Sequence, residues 1–138
     1  METPNEAIYR RFLDEVLNGG DPDAADRFFA PELIDHSLPP GVPGTLEGFK
    51  QWFDEFRRAF PNARWEIDAI FGKDDLVARQ QTFTATHEGE YLGVEPTGQD
   101  VRASEAGIVR FAGGRMVEFW GVFDDAGILR QLTEHALV

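Results

Sequence analysis

Apolar residues in the first sixty positions recur at intervals of three and four, the spacing of one face of a helix. The first such face is formed by Tyr9, Phe12, Leu13, Val16 and Leu17. Thr3-Pro4 before it supplies a hydroxyl N-cap and a proline at the first helical position, and Asn18-Gly19-Gly20 ends it. The pattern predicts a first helix over residues 4–17.

Two further helices are predicted before residue 61. Asp21-Pro22 repeats the signal of a cap followed by proline, and predicts a short second helix through Phe28-Phe29 that closes before Pro31. Residues 38–45 contain three prolines and two glycines, so they are predicted to form a loop. A third helix that ends at Pro61 is predicted from apolar residues at helical spacing. These residues are Leu46, Phe49, Trp52, Phe53, Phe56 and Phe60.

Beyond Pro61 the period changes to two, the repeat of a strand whose alternate side chains face opposite sides. Four strands are predicted, over residues 64–71, 76–87, 101–111 and 115–123. Ala112-Gly113-Gly114 joins the last two strands as a tight hairpin, and residues 89–98 form a loop that contains glycine. A short helix near Leu129 is expected to finish the chain.

This order of elements predicts an α+β fold with a largely antiparallel sheet, because the helices precede the strands without βαβ alternation. Residues 1–138 are predicted to form one domain, since this length is enough for one core and too short for two. Long strands beside only two sizeable helices must curve around them to bury their apolar face. The curvature predicts a concave volume, and therefore a pocket.

The chain is acidic, with 25 Asp and Glu against 13 Lys and Arg, a formal charge of −12. Neither nucleic acid nor a membrane surface is expected as a partner, because both require a positive patch. Cysteine is absent, which fits a reducing compartment, and the N-terminal residues lack the basic and apolar regions of a signal peptide. A cytoplasmic protein is therefore predicted.

No cofactor is expected from the motifs. The chain has no P-loop and no Gly-x-Gly-x-x-Gly run, which argues against nucleotide cofactors. Its three histidines, at positions 36, 87 and 135, do not have the spacing of metal ligands, so no metal is expected either. Neither serine lies in a Gly-x-Ser-x-Gly motif, which excludes an α/β-hydrolase triad.

Two tracts resemble segments typical of the SnoaL-like polyketide cyclases. In the first, the pattern His-x-Gly-x-aromatic-x-Gly leads through Pro-Thr-Gly into a strand, over residues 87–101. In the second, Gly114 to Trp120 leads to Asp124 and then to Arg130-Gln131-Leu132. His36 also stands where the family frequently has a histidine, after the second helix. The resemblance covers nearly the whole chain.

The resemblance implies the NTF2-like cone, a bent sheet wrapped around N-terminal helices with a cavity at its wide end. It implies a small hydrophobic ligand, often a homodimer through the outer sheet face, and ring closure by proton transfer without metal or cofactor. Relatives on this scaffold act as ester cyclases, isomerases, hydratases and other lyases, or only bind a ligand, so the fold leaves the reaction open. A non-catalytic small-molecule binding protein is the alternative.

One departure from the family pattern concerns the proton-transfer groups. In the cyclases an Asp directly follows the Trp of the last strand, and a His on the preceding strand faces it. Here Gly121 follows Trp120, and counting back across the hairpin places Gly107 at the position of the His. Any catalysis must therefore use other residues, or the chain has kept the pocket without the cyclisation chemistry.

Three residues are candidates for proton transfer. His87 closes a long strand, where it is expected at the cavity rim, or alternatively as a surface histidine bonded to backbone. His36 precedes the proline-rich loop and either lines the cavity mouth or fixes that loop. Glu105 lies between two small residues of the same strand face. On a concave face its pKa should rise toward that of a general base, and on the outer face it is merely solvated or at a dimer contact.

Aromatic residues are the candidates for substrate binding. They are Trp52, Phe56, Tyr91, Phe119 and Phe123. Phe119 and Phe123 flank Gly121 on its face, where the missing side chain leaves space, whereas the aromatics at helical spacing are alternatively plain core. Glu118, Trp120 and Asp124 have the opposite parity and are expected to point outward, with Asp124 capping the turn that follows.

Overall fold

A computed structural model of the protein describes residues 1–136. The first helix, α1, spans Pro4–Phe12 and continues as one π turn over Leu13–Leu17. Thr3 caps it as predicted, since its hydroxyl accepts from the Glu6 N–H at 3.2 Å. The π turn is closed by the Asn18 N–H, which donates to the Leu13 carbonyl five residues back at 2.8 Å.

The predicted second helix is shorter than expected and is followed by a strand that the pattern did not predict. A 3-10 helix spans Pro22–Arg27, and β1 spans Phe29–Asp35, so the prediction of helix through Phe29 is wrong. Pro31 within the run argued against a strand, because proline cannot donate to a ladder. It is tolerated here because β1 is an edge strand, paired on one side only, in parallel with the last strand.

The remaining elements follow the predicted order. Helix α2 spans Leu46–Ala59, with Thr45 as its N-cap. The strands are β2 (Arg64–Lys73), β3 (Leu76–Thr86), β4 (Asp100–Ala112) and β5 (Arg115–Phe123). Helix α3, Asp125–Ala136, is longer than the short helix expected near Leu129, and Gln131 ties it to the Arg102 backbone of β4.

The five strands form one open, curved sheet in the order β1-β5-β4-β3-β2, antiparallel except for the β1–β5 pair. Register shifts interrupt the β2–β3 and β4–β5 ladders, between Ile67 and Ala69 and between Arg110 and Phe111. Such bulges increase local twist and bend a sheet. The α+β class with a largely antiparallel, curved sheet is confirmed.

The core lies between α1, α2 and the concave face of the sheet, and it is mainly aromatic. Its fully buried side chains include Tyr9, Phe12, Phe29, Phe53, Phe60, Phe83 and Met116. Rings from both helices contact rings from the strands, as where Phe56 meets Phe83 with centroids 5.3 Å apart. This packing fixes α2 against β3 and so positions one wall of the cavity described below.

No helix in the described part of the chain is both long and apolar enough to cross a membrane. The cytoplasmic location stays a prediction.

Candidate active site

A cavity opens between α2, the concave sheet face and the segment that follows β1. Its inner chamber has a volume of about 50 Å³, room for about four water molecules at roughly 10–15 Å³ each. The chamber continues into an outer vestibule of about 550 Å³. The two share the side chains of Ser37, Leu38, Trp52, Phe56 and Phe123, so they form one continuous space.

Aromatic rings form most of the cavity wall. Trp52, Phe56, Phe119 and Phe123 border the inner chamber, and Tyr91 borders the vestibule, so the structure brings all five predicted binding residues to one space. Trp52 and Phe56 lie one helical turn apart on α2, and their stacked rings are 5.0 Å apart. The Tyr91 hydroxyl donates to Asp125 Oδ1 beside the vestibule. Ligand binding by these residues stays a prediction.

Glu105 lies on the concave face of β4 and borders the inner chamber. Its Oε1 accepts from Gln81 Nε2 at 2.7 Å, and its Oε2 lies 3.6 Å from Arg79 Nη2. Burial raises the pKa of Glu105, while the Arg79 charge and the Gln81 hydrogen bond act against that rise. The sequence predicted a raised pKa for Glu105 if its side chain lay on the concave face, where the structure places it.

Arg79 is a fully buried charge on β3, held in one orientation. Its Nε donates to the Tyr9 hydroxyl and its Nη1 to the Trp120 carbonyl, both at 2.9 Å. The guanidinium carbon lies 4.6 Å from the ring centre of Phe119 and 5.4 Å from that of Tyr9. Nη2 is buried without a hydrogen-bond partner, a state that costs roughly 1–3 kcal/mol in a protein interior.

Tyr9 and Gln81 connect the arginine to the carboxylate. The Tyr9 hydroxyl accepts from Arg79 and donates to Gln81 Oε1 at 2.6 Å, and Gln81 Nε2 donates to Glu105. Both side chains are fully buried. This continuous chain of hydrogen bonds fixes the positions of Arg79 and Glu105 relative to each other, because Tyr9 and Gln81 each bond to both of their neighbours in it.

Asp35 supplies a second carboxyl group to the chamber, from the end of β1. Its Oδ1 accepts from the Ser37 N–H at 2.8 Å and from the Ser37 hydroxyl at 2.5 Å. Its Oδ2 is buried without a hydrogen-bond partner. Burial raises the pKa of Asp35, and the two Ser37 hydrogen bonds oppose that rise.

The two glycines singled out from the sequence face each other. Gly107 on β4 pairs directly with Gly121 on β5, as counting across the hairpin predicted. A Cβ on Gly107 would lie 2.1 Å from Arg79 Nη1, so the arginine occupies the space beside this glycine. A Cβ on Gly121 would lie 3.3 Å from both Arg79 Nη2 and Glu105 Oε2. Gly121 borders the chamber, so its missing side chain leaves a position there next to one donor and one acceptor.

The family model described as SnoaL-like polyketide cyclase matches residues 7–132. The chain belongs to this family. Among curated proteins, no match was found.

Solved structures of similar proteins agree with the family match. A candidate polyketide cyclase from Acidithiobacillus ferrooxidans is 29% identical, with a TM-score of 0.82 and 97% of each chain covered. The candidate hydroxylase AclR from Streptomyces galilaeus is 28% identical, with a TM-score of 0.83 over 94% of this chain and 81% of that one. The candidate polyketide cyclase IdmH from Streptomyces antibioticus is 27% identical, with a TM-score of 0.83 over 94% and 98%. The fold is therefore the predicted NTF2-like cone.

In this SnoaL-like protein, the structure keeps His87 away from the cavity. The side chain is fully buried rather than at a rim, and its ring lies 5.7 Å from that of Phe60. Its Nδ1 accepts from the Thr97 N–H at 3.2 Å, which places the proton of the neutral ring on Nε2. Nε2 is buried without a partner, and burial lowers the pKa of His87. The contacts show His87 anchoring the loop over residues 89–98.

His36 also lies outside the residues that border the cavity. Its Nε2 is 2.7 Å from Glu118 Oε2, and its ring stacks on Trp120 with centroids 5.2 Å apart. The side chain is exposed. Asp124 caps α3 as expected, since its Oδ1 accepts from the Gly127 N–H at 2.8 Å. Of the three proton-transfer candidates, the structure thus brings only Glu105 to the cavity.

Sequence reasoning missed four polar residues of the site, namely Tyr9, Asp35, Arg79 and Gln81. A signal was present for two of them. Arg79 and Gln81 have the same parity as Val77 and Phe83 on β3, so strand alternation places them on the buried face. A charged side chain on the buried face of a strand requires a partner, and buried charged groups are often functional. Across the part of the chain that the structure describes, no three acidic or histidine side chains cluster as metal ligands would.

Proposed function

We propose that the protein catalyses a cofactor-independent proton transfer on a small, largely apolar carbonyl compound, a reaction of the cyclase, isomerase or hydratase type. Glu105 is the proposed proton acceptor. The observation that carries the proposal is its position, since Glu105 joins a hydrophobic chamber to a fixed network of polar groups. Membership of the SnoaL-like polyketide cyclase family supports the same class of chemistry.

A carboxylate in an apolar chamber is suited to general base catalysis at neutral pH. A general base works best when its pKa lies near the working pH, and burial raises the pKa of Glu105 in that direction. The Gln81 hydrogen bond to Oε1 leaves Oε2 as the oxygen that borders the position beside Gly121. Oε2 is therefore the proposed proton-accepting atom.

The shape of the cavity supports an apolar ligand with one polar end. The inner chamber is large enough for one small group, whereas the vestibule is about ten times larger and lined by Trp52, Phe56 and Tyr91. An aromatic or alicyclic body in the vestibule would gain roughly 25 cal/mol for each Å² of apolar surface it buries. The polar end would then lie beside Glu105.

Asp35 is the proposed proton donor of the same reaction. Asp35 borders the chamber, its Oδ2 is buried without a hydrogen-bond partner, and its raised pKa favours the protonated carboxylic acid. Glu105 lies 3.6 Å from the Arg79 guanidinium, and this positive charge favours the ionised form of Glu105. Two carboxyl groups in different surroundings can thus serve as base and acid in one site.

Deuterium exchange of 2-tetralone, a bicyclic ketone with acidic protons beside its carbonyl group, tests the proposal. The protein should accelerate loss of these proton NMR signals in D₂O. Glu105→Gln should lower that rate by about 100- to 10,000-fold, the contribution typical of a general base. Glu66→Gln, the same change at an exposed position of β2, is the matched control. Equal rates for wild type and Glu105→Gln would contradict the proposal.

Titration of Glu105 gives a second test that needs no substrate. In NMR spectra of the free protein, its side-chain carboxyl carbon should titrate above the ordinary value of 4.5, because burial raises its pKa. Glu66 is exposed and serves as the reference signal. A Glu105 midpoint at or below the ordinary value would count against its role as a base.

A non-catalytic binding protein is the second candidate function. The observation in its favour is that Gly107 and Gly121 occupy the two positions where the family pattern places proton-transfer groups. Saturable binding of 2-tetralone with an exchange rate no higher than that of Glu105→Gln would favour this alternative.

We also propose that the protein forms a homodimer through the outer face of the sheet. A row of apolar side chains crosses that face in register, from Phe71 through Ala78 and Ile108 to Trp120. Phe71 and Ile108 are exposed, as is Val122 beside the row. Such a row can pack against the same row of a second protein molecule related by a two-fold axis. Sedimentation should show a dimer that Ile108→Glu converts to monomer, and a monomeric wild type would rule it out.

A further inference from the structure

The position left open by Gly121 lies between a fixed donor and the proposed base. A ligand atom at the place of the missing Cβ would be 3.3 Å from Arg79 Nη2 and 3.3 Å from Glu105 Oε2. Phe119 Cε1 lies 3.5 Å away and closes the third side. A reacting group needs a point within reach of both the base and the group that stabilises developing charge. The Gly121 position is such a point.

Arg79 is held so that only one of its nitrogens remains available. The Tyr9 hydroxyl and the Trp120 carbonyl accept from Nε and Nη1. The rings of Phe119 and Tyr9 contact the guanidinium. Nη2 is buried and has no hydrogen-bond partner among the described residues. A ligand that brings an acceptor oxygen to the Gly121 position would satisfy this donor, so the protein is preorganised for one.

The charges around the chamber indicate that the acceptor is neutral in the bound substrate. Arg79 contributes one positive charge, and Glu105 and Asp35 are two acidic groups that border the same chamber. A carboxylate or phosphate on the ligand would place a second negative charge beside the Glu105 carboxylate, which Arg79 already balances, and like charges repel in a site of low dielectric constant. A chamber of about 50 Å³ also fits a small group. A carbonyl oxygen meets both conditions.

We propose that Arg79 Nη2 binds the carbonyl oxygen of the substrate at the Gly121 position, so that the substrate is a neutral ketone or aldehyde with a C–H bond beside its carbonyl group. This inference rests on the proposed function of Glu105 for its chemical step. The carbonyl oxygen and the adjacent carbon are two bonds apart, and Nη2 and Oε2 are 3.6 Å apart. One small ketone can therefore reach both atoms.

In the step that follows, Glu105 Oε2 takes the proton from the carbon beside the carbonyl group. The electron pair of the broken C–H bond forms a C=C bond, and the carbonyl π pair moves onto oxygen. The enolate oxygen then carries the negative charge that Glu105 has lost, opposite Arg79. No oxidant or reductant is needed, and the enolate either regains a proton or attacks a second carbonyl carbon of the same molecule.

The carbonyl ¹³C signal of labelled 2-tetralone tests the assignment without relying on turnover. A charge-assisted hydrogen bond from a guanidinium withdraws electrons from the carbonyl carbon, so the bound signal should move downfield of the signal of free 2-tetralone. The shift should appear with wild type and with Glu105→Gln. If Glu105→Gln still catalysed deuterium exchange and still showed the downfield carbonyl shift, Glu105 would not be the base, whereas the assignment of Arg79 as the carbonyl-binding residue would remain supported.

Gly121→Ala is the variant that fills the proposed position. Its methyl group would contact side-chain atoms at 3.3–3.5 Å and no backbone atom at closer range, so the fold is expected to be retained. Binding of 2-tetralone should weaken at least tenfold and the downfield shift should disappear. Ser104→Ala, a change of one atom on the exposed face of the neighbouring strand, is the control. An unchanged shift in Gly121→Ala would overturn the proposal.

Arg79→Met combined with Glu105→Gln removes the donor without leaving an unpaired buried carboxylate. The downfield shift should be lost in this double variant while it persists in Glu105→Gln alone. Two ligands complete the test in the wild type. Tetralin, which lacks the oxygen, should bind at least tenfold more weakly than 2-tetralone, and 2-naphthoate should bind no more tightly. Equal binding of tetralin, or tighter binding of the carboxylate, would overturn the assignment of a neutral carbonyl oxygen.

Discussion

Two interior side chains, Arg79 and His87, lie on the same side of one strand and its extension, and each has a buried nitrogen without a hydrogen-bond partner. Arg79 stands among polar groups, with Tyr9, Gln81 and Glu105 in one connected network beside the chamber. His87 stands between an aromatic ring and the loop that it holds through Thr97. The same degree of burial thus serves two different purposes.

The difference shows that a buried polar group becomes a candidate for chemistry through what its free atom faces. Arg79 Nη2 borders a position that a ligand can fill, next to a carboxylate. His87 Nε2 borders neither the chamber nor the vestibule. Burial disfavours the charged form of both side chains. It therefore raises the pKa of Glu105 and lowers the pKa of His87. The following changes test this contrast, from the largest expected effect to the smallest.

Arg79→Met should give the largest loss of stability. The substitution leaves the Glu105 carboxylate buried without its cation, a change that typically costs about 3–5 kcal/mol in the free energy of unfolding. Urea denaturation at neutral pH measures it. Adding Glu105→Gln should recover a substantial part of the loss, because the uncompensated charge is then gone. A double variant no more stable than Arg79→Met would show that the two groups are not coupled.

His87→Leu should have a smaller effect, within about 1 kcal/mol of wild type. The substitution removes the acceptor of the Thr97 N–H, which destabilises, and removes an unpartnered buried donor, which stabilises by a similar amount. The same urea experiment provides the value. If a folded His87→Leu protein loses deuterium exchange on 2-tetralone, the sequence-based assignment of His87 to proton transfer regains its basis.

The pH dependence of stability should have opposite signs at the two sites. Burial lowers the pKa of His87 in the folded state, so its contribution is complete above the ordinary value of 6.5 and is lost as the pH falls below it. Burial raises the pKa of Glu105, so its contribution is complete below the ordinary value of 4.5 and is lost as the pH rises through the folded pKa.

Urea titrations at several pH values separate the two contributions. Relative to wild type, His87→Leu should lose less stability when the pH is lowered below 6.5, and Glu105→Gln should lose less when it is raised above 4.5. Identical profiles for both variants and the wild type would refute the difference drawn between the two sites.

His36→Gln should produce the smallest change. The side chains of His36 and Glu118 are exposed and half-buried, respectively, and ion pairs at the protein surface contribute about 0–1 kcal/mol. Thermal unfolding of the variant at low and moderate salt measures the contribution, which should shrink as salt screens the charges. A loss well above 1 kcal/mol would show that the stacking of His36 on Trp120 matters more than the pair.

Much of the fold could be predicted because it rests on local signals. Thr3, Thr45 and the prolines after the caps mark helix ends, and period-two alternation marks β2 to β5. Strand β1 was missed because Pro31 speaks against a strand in general and is acceptable only at an edge. Edge position is a property of the assembled sheet, so the local pattern could not reveal it.

The candidate site could be predicted only in part. Parity grouped Glu105 with Gly107, and Gly121 with the aromatic residues Phe119 and Phe123, but it left open which face of the sheet is concave. The structure decides that these residues lie on the concave face. Asp35 and Tyr9 carry no comparable signal, because each reaches the site from an element far away in the sequence. The rim position expected for His87 came from its place at a strand end, which does not determine the direction of a side chain relative to the cavity.

The sequence by itself determined the class of fold, the family and the aromatic character of the interior, because these follow from periodicity, capping and motifs within short stretches of chain. Tertiary structure decided which polar groups meet. Arg79 from β3 fills the space beside Gly107 of β4, and Tyr9 from α1 joins it to Gln81. Contacts of this kind depend on the curvature and register of the sheet, which arise only when all strands are in place.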